Sequence, residues 1–453
     1  MIRTRLLLLC VLLLAIVAAA SPARALIGTI DDVPASTLLL PYFEVDLDNA
    51  DHLNTLFSIN NASASATLAH VTVWSTWSIP VLDFDVYLTG FDVQTINLGV
   101  VLINGVLPRT ASTGQDPAAG AVGIGISPKG PISQDINFAS CTGTLPYAVP
   151  AISPSFKTHL RAVLTGKKSP IDGTCAGQNY GDNVARGYVT IDVTNACSQL
   201  FPSDTGYFVN GGGGIAGNRN IIWGDYFYVD QVLAAAQGET LVHVEAAPGI
   251  GISSAQGSYP PAFVPGNYTF YGRYVSGTAI DNREPLATTF GARYILGGGF
   301  DGGTSLIVWR DSKFPPGASC VTGPNYGDLF QQQIVAFDEE ENPFTVIQGG
   351  PSGEPVPGAV CIFCDEAQRV PVGPAGGVET PFQFGWLYLN LNHATTRDAT
   401  LGPGYINIAQ NWVTVSMTAH EGHYAVGFDA IQFDNASRAV SGGVVLPVTS
   451  GIP

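Results

Sequence analysis

Short runs in which apolar and polar residues alternate recur along most of this chain, and that alternation restricts what it can fold into. Thr67–Trp74 (TLAHVTVW), Phe84–Leu88 (FDVYL), Gly187–Val193 (GYVTIDV) and Leu241–Ala246 (LVHVEA) follow it, as do Tyr268–Val275, Thr304–Trp309, Gly385–Leu391 and Trp412–Met417. A period of two sends successive side chains to opposite sides of an extended strand, one side toward a core and one toward water. Antiparallel sheets give this pattern, whereas strands buried on both faces read as continuous apolar runs. The 53 glycines and 31 prolines suit tight turns between many short strands. Helix signals are confined to two segments. Ser153–Gly166 offers a serine cap, a proline at the first helical position and a closing glycine, and Asp230–Gly238 (DQVLAAAQG) offers a shorter apolar stretch.

The strands repeat. Phe43–Ser63 and Ala292–Ser312 align without a gap, pairing TLFSINNAS (Thr55–Ser63) with TSLIVWRDS (Thr304–Ser312). The same offset sets Val86 opposite Val335 and Leu98 opposite Ile347. At a shorter offset RGYVTIDV (Arg186–Val193) resembles FGWLYLNL (Phe384–Leu391), so the second copy is expected to lack a stretch around the Ser153–Gly166 helix. The expected fold is mostly β, with two tandem β-sandwich or jelly-roll-like units arising by internal duplication. Their expected bounds are 26–250 and 285–453, with 251–284 as a connecting segment.

Arg3 and Arg5, the apolar run Leu6–Ala20, the break at Ser21-Pro22 and the small residues of Ala23-Arg24-Ala25 make residues 1–25 read as a cleavable export signal. The apolar run is shorter than the ~20 residues a membrane-spanning helix needs, and no later stretch reaches that length. The chain is therefore expected to be extracellular, on the cell surface or periplasmic, with no transmembrane helix once processed. Of seven cysteines only Cys10 lies in the leader, and in an exported protein the rest are expected to form disulfides. The spacing of the duplicated strands favours one bridge within each unit, Cys141–Cys175 and Cys320–Cys361, with Cys364 as the alternative to Cys361. Cys197 and the remaining member of Cys361-Ile-Phe-Cys364 are left to join the units or stay free.

Charged residues make up 12% of the chain and the formal net charge is −17. Lysine is confined to Lys129, Lys157, Lys167, Lys168 and Lys313. No concentrated basic face exists for phosphate, which argues against a nucleic-acid partner. A carbohydrate or another surface protein suits a low-charge surface rich in serine, threonine, asparagine and glycine.

Some groupings can carry chemistry. Asp46-Leu47-Asp48-Asn49-Ala50-Asp51 places Asp46, Asp48 and Asp51 in one turn, and oxygen ligands so spaced suit calcium, although the turn is not an EF-hand loop. An exposed acidic turn has the same sequence. Asp83 and Asp85 share a strand face, as two glycosidase carboxylates do. Trp77 is a candidate sugar platform, against the commoner role of a core tryptophan. His420-Glu421-Gly422-His423 has histidines three apart rather than the four of a helical zinc motif. His70 and His243 lie inside strands and read as ordinary sheet residues. No GxSxG elbow or P-loop occurs, and no GxGxxG opens a helix after a strand; Gly211–Gly214 reads as a flexible loop.

The segments STLLLPYFEVDLDN (Ser36–Asn49), IPVLDFDVYLTGFDVQTINL (Ile79–Leu98) and IIWGDYFYVD (Ile221–Asp230) resemble exported bacterial proteins of uncharacterised function. That resemblance implies a bacterial source and export and carries no active residues. The functional expectation is a non-enzymatic binding or structural protein. The alternative is an extracellular polysaccharide hydrolase or lyase, and an outer-membrane barrel is opposed by the cysteines and prolines.

Overall fold

The computed structural model describes residues 33–108, 152–209, 214–246, 269–275, 281–312, 319–320, 323–324, 329, 331–346, 362–373, 377–393, 409–419 and 421–433. The expected export signal lies outside them.

The first half supplies β1 (Thr37–Asp46), β2 (Leu53–Asn61), β3 (Thr67–Ser75), β4 (Pro80–Leu88), β5 (Val93–Asn97), helix α1 (Pro154–Leu164), β6 (Val184–Thr194), β7 (Ile222–Trp223), β8 (Asp225–Asp230), β9 (Ala235–Thr240) and β10 (Val242–Val244). The second half supplies β11 (Thr289–Ile295), β12 (Gly303–Arg310), β13 (Gln331–Phe337), β14 (Pro343–Thr345), β15 (Ala367–Val372), β16 (Phe384–His393), β17 (Asn411–Ala419), β18 (Tyr424–Asp429) and β19 (Ile431–Gln432). Every ladder between these described strands is antiparallel.

The two halves have one topology. The first forms sheets β10-β1-β6-β3-β4 and β5-β2-β8-β9, and the second forms β19-β11-β16-β13-β14 and β15-β12-β17-β18. Each strand has a counterpart at the same place, with β7 an extra partner of β2. The duplication expected from the sequence is thus present as tandem sandwiches. The aligned pairs β2 with β12 and β6 with β16 are true counterparts. Val86 and Val335 are not, since Val86 lies in β4 while β13 is the counterpart of β3. The offset fails there because residues 62–66 join β2 to β3, whereas 311–330 join β12 to β13. The expected deletion falls where it should: 98–183, with α1, separate β5 from β6, but only 373–383 separate β15 from β16.

Local sequence explains the joints. Pro41 cannot donate to a ladder, and the β1–β6 register shifts between Leu40 and Phe43. Gly187 and Gly385 are counterparts, and a Cβ at either would lie within 2 Å of a neighbouring strand's carbonyl, that of Trp74 or Phe337. In α1 the Ser153 hydroxyl accepts the Phe156 N–H, and Leu160, Val163 and Leu164 are buried.

Two expectations fail. Asp230–Gly238 is a turn followed by β9, because Ala235–Thr240 pairs with β8 and tertiary pairing overrides alanine's helix preference. Within Tyr268–Val275, Gly272–Tyr274 is a 3₁₀ turn rather than a strand, and Phe270, Tyr271 and Arg273 are buried.

The sandwiches are joined face to face. One core includes Ile307, Trp309, Ala367 and Trp412 of the second sandwich together with first-sandwich residues, and a second core fills the space between the two second-half sheets. Arg273 bridges the units: its guanidinium pairs with Glu366 at 2.6 Å and Asp311 at 3.5 Å, and Glu366 also accepts the Ser78 hydroxyl. A disulfide joins Cys175 to Cys320. The expected pairings Cys141–Cys175 and Cys320–Cys361 are thereby corrected, since Cys175 and Cys320 face each other across the seam beside Trp77 and Leu329. Cys197 and Cys364 are disulfide-bonded as well. Cys141 and Cys361 lie outside the described residues.

Candidate functional site

A cleft of about 310 Å³ opens where the two sandwiches meet. Glu44 of β1, Tyr228 and Asp230 of β8 and Gln237 of β9 line one side, and Ser305, Arg369, Ser416 and Thr418 of β12, β15 and β17 line the other. Residues 305, 369, 416 and 418 all project from the outer face of their sheet, which follows from their pairing rows. The alternating pattern that buries Leu306, Val308, Val413 and Val415 in the second core thus sends hydroxyls and a guanidinium into the cleft.

Its charges are already matched. Glu44 receives Arg369 Nε at 3.1 Å and Nη2 at 3.0 Å, and the Tyr42 hydroxyl donates to its other oxygen at 3.2 Å. The Arg369 guanidinium lies over the Tyr228 ring at 5.5 Å. Burial pushes the Tyr228 hydroxyl well above the usual phenol range, so it stays protonated and donates to the Tyr42 carbonyl at 2.8 Å. Gln237 is different. Its Oε1 accepts the Ser416 hydroxyl at 2.7 Å, while its buried Nε2 has no hydrogen-bond partner. A buried amide donor left unspent costs about 1–3 kcal/mol, and a ligand acceptor would recover that.

The acidic turn stands at the cleft's margin. Asp46 accepts the N–H groups of Asp48 and Asn49 and receives His52 Nδ1 at 2.8 Å, while His52 Nε2 reaches Asp230 at 3.2 Å. Partial burial works against ionisation of Asp46, but those hydrogen bonds win and hold its carboxyl below the usual range. Asp48 accepts Asn183 Nδ2 at 2.6 Å, and the Asp51 N–H donates to Asn49. Asp46, Asp48 and Asp51 do not converge: among the described residues no group of three or more histidine, cysteine or acidic side chains is placed to hold a metal.

Asp83 and Asp85 are brought together, but under cover. Asp85 is buried, receives His70 Nδ1 at 2.9 Å and accepts the Ser198 N–H; Asp83 stands 3.9 Å from His70 Nε2. In the same row Asp192 accepts the hydroxyls of Thr37, Tyr207 and Tyr271 and pairs with Arg283 at 3.4 Å. His70 is therefore part of a buried ionic network and more than an ordinary sheet residue. Asp85 has no route to a polysaccharide there. Trp77 is buried beside the disulfide, and His423 gives Nδ1 to the Leu233 carbonyl rather than joining a metal set. His420 lies outside the described residues.

Glu44, Arg369, Gln237 and Ser416 were not found by sequence reasoning, because they come from four strands far apart in the chain. The one available signal was the scarcity of cations, which makes each arginine in a strand worth asking about. No family model, no curated protein and no solved structure matches the chain.

Proposed function

We propose that this is an exported, non-enzymatic binding protein that holds a small polyhydroxylated ligand, of sugar-like chemistry, between its two sandwiches. The observation that carries the reading is the cleft itself: both sandwiches build it, and Gln237, whose Nε2 is unspent, stands in its wall among hydroxyl groups and a matched ion pair. Pockets of this size with few convergent polar groups are the usual form of small-ligand sites. Neutral hydroxyl-rich ligands suit walls whose charges are already paired. Export rests on the N-terminal sequence and agrees with the Cys175–Cys320 disulfide across the seam.

Isothermal titration against a panel of mono- and oligosaccharides tests it. A ligand is expected whose affinity falls about tenfold in Gln237→Ala, the loss of one good hydrogen bond. A panel without binders, or a binder indifferent to Gln237→Ala and Ser416→Ala, overturns the cleft reading. Reducing-sugar release from the same panel is the outcome that would favour the hydrolase or lyase instead.

A further inference from the structure

The two sandwiches differ in what covers one face. In the second, the outer face of β15-β12-β17-β18 carries Trp309 and Trp412 directly opposite each other, and Trp412 is only 5% exposed because the first sandwich lies on it. There Trp309 meets Tyr188 edge-on at 6.0 Å, and Tyr188 is stacked on Trp74. The same place in the first sandwich is the outer face of β5-β2-β8-β9, where Asn60 stands opposite Trp223. Trp223, the counterpart of Trp412, is 42% exposed, and Phe227 and Val93 are exposed on the same face.

The covering side has a counterpart too. Trp74 and Tyr188, opposite each other in the first sandwich, correspond to Phe337 and Trp386 in the second. Phe337 and Trp386 are likewise stacked, at 4.8 Å, and Trp386 meets Phe433, which is 52% exposed beside the exposed Ile431. One side of the molecule thus presents an open copy of the face its second sandwich buries. The far side presents a half-open copy of the face that buries it. Charge agrees: Asp225 lies on the first face and the exposed Arg293 on the second, in a chain of net charge −17.

We propose that the occupant of both faces is a second copy of this chain. The outer face of β5-β2-β8-β9 in one copy packs on the outer face of β19-β11-β16-β13-β14 in the next, repeating between molecules the contact that joins the sandwiches within one. The two faces are unlike, so the contact is heterologous and propagates head to tail.

Sedimentation of the purified chain over a range of concentrations tests this, with Trp223→Glu and Phe433→Glu each checked for folding by thermal unfolding. The wild-type chain is expected to associate as concentration rises, and each variant alone to stay monomeric. An equimolar mixture of the two variants is expected to form a dimer and nothing larger, since each keeps the face the other lacks. A wild-type chain that is monomeric throughout overturns the proposal, as does association that survives both variants or a mixture that fails to dimerise. Should either variant unfold, Phe227→Glu and Ile431→Glu, at exposed positions on the same two faces, give the same readout.

Discussion

Asp192 in the first sandwich and Asn390 in the second occupy the same place, opposite Thr37 and Thr289 in the neighbouring strand. On the other side they stand opposite His70 and Gln333. The first copy holds an acid and an imidazole where the second holds two amides. Arg283 makes this workable: it is buried, pairs with Asp192 and with Asp281 at 3.2 Å, and donates to the Thr37 hydroxyl and the Gly217 carbonyl. Asp192→Asn imposes the second copy's residue on the first and leaves a buried guanidinium short of an anion. Such losses cost about 3–5 kcal/mol, so urea unfolding should show a drop of that order.

His70→Gln makes the companion substitution. Burial opposes protonation of His70, but the hydrogen bond and charge of Asp85, with Asp83 and Asp192 nearby, prevail and raise its pKa above the ordinary value. The native state therefore holds this proton more tightly than the unfolded chain does. The resulting stability is complete below the unfolded value of about 6.5 and is lost as pH rises through the higher folded value. Unfolding free energies measured across that window should slope downward in the wild type and lose this part of the slope in His70→Gln.

Asp365 adds a slope at lower pH. Burial raises its carboxyl from 3.8 to about 6, against the hydrogen bond donated by the Tyr180 hydroxyl at 2.8 Å. A raised acid binds its proton more tightly when folded, so stability is greatest below the unfolded value and falls as pH climbs to about 6. The shift corresponds to about 3 kcal/mol. Asp365→Asn should flatten the stability profile over this range, and an unchanged profile would assign the slope elsewhere.

The Cys175–Cys320 bridge closes a loop across a sequence separation of 145. The chain-entropy model gives such a loop about 5 kcal/mol. Cys175→Ser should lower the thermal midpoint markedly under oxidising conditions and little under reducing ones. A non-reduced peptide map should recover Cys175 linked to Cys320.

Strand periodicity was legible because it is local: TSLIVWRDS and FGWLYLNL carry their sandwich positions in their own alternation. The duplication was legible where connections have equal length and failed where one copy gained residues, as between β12 and β13. Disulfide partners were not legible, since Cys175 and Cys320 meet through the packing of two whole sandwiches. Nor was the cleft, because Gln237 and Ser416 are ordinary polar residues until two sheets bring them within 2.7 Å. The buried ionic row was half visible. Asp83 and Asp85 stood out as same-face acids, but only the fold shows that Asp85 is buried against His70 and the Ser198 N–H while Asp83 stays part-exposed.

The turn at Asp46 gives the opposite pH response. Its carboxyl is held below the usual range, so its contribution is present above the unfolded value of 3.8 and is lost as pH falls through the folded one. Asp46→Ala removes the acceptor for two backbone N–H groups and for His52, and frees His52 from one of the two acids it joins. Hydrogen bonds to charged groups contribute about 1.5–3 kcal/mol, less where solvent reaches them. A loss of about 1–2 kcal/mol at neutral pH is therefore expected. Because His52 also meets Asp230 on the cleft wall, Asp46→Ala should weaken ligand affinity as well as stability, whereas Asp48→Ala, whose carboxylate meets Asn183 away from the cleft, should leave affinity unchanged. Titration of both variants with the same sugar separates the two effects. Equal affinity in both would sever the acidic turn from the site.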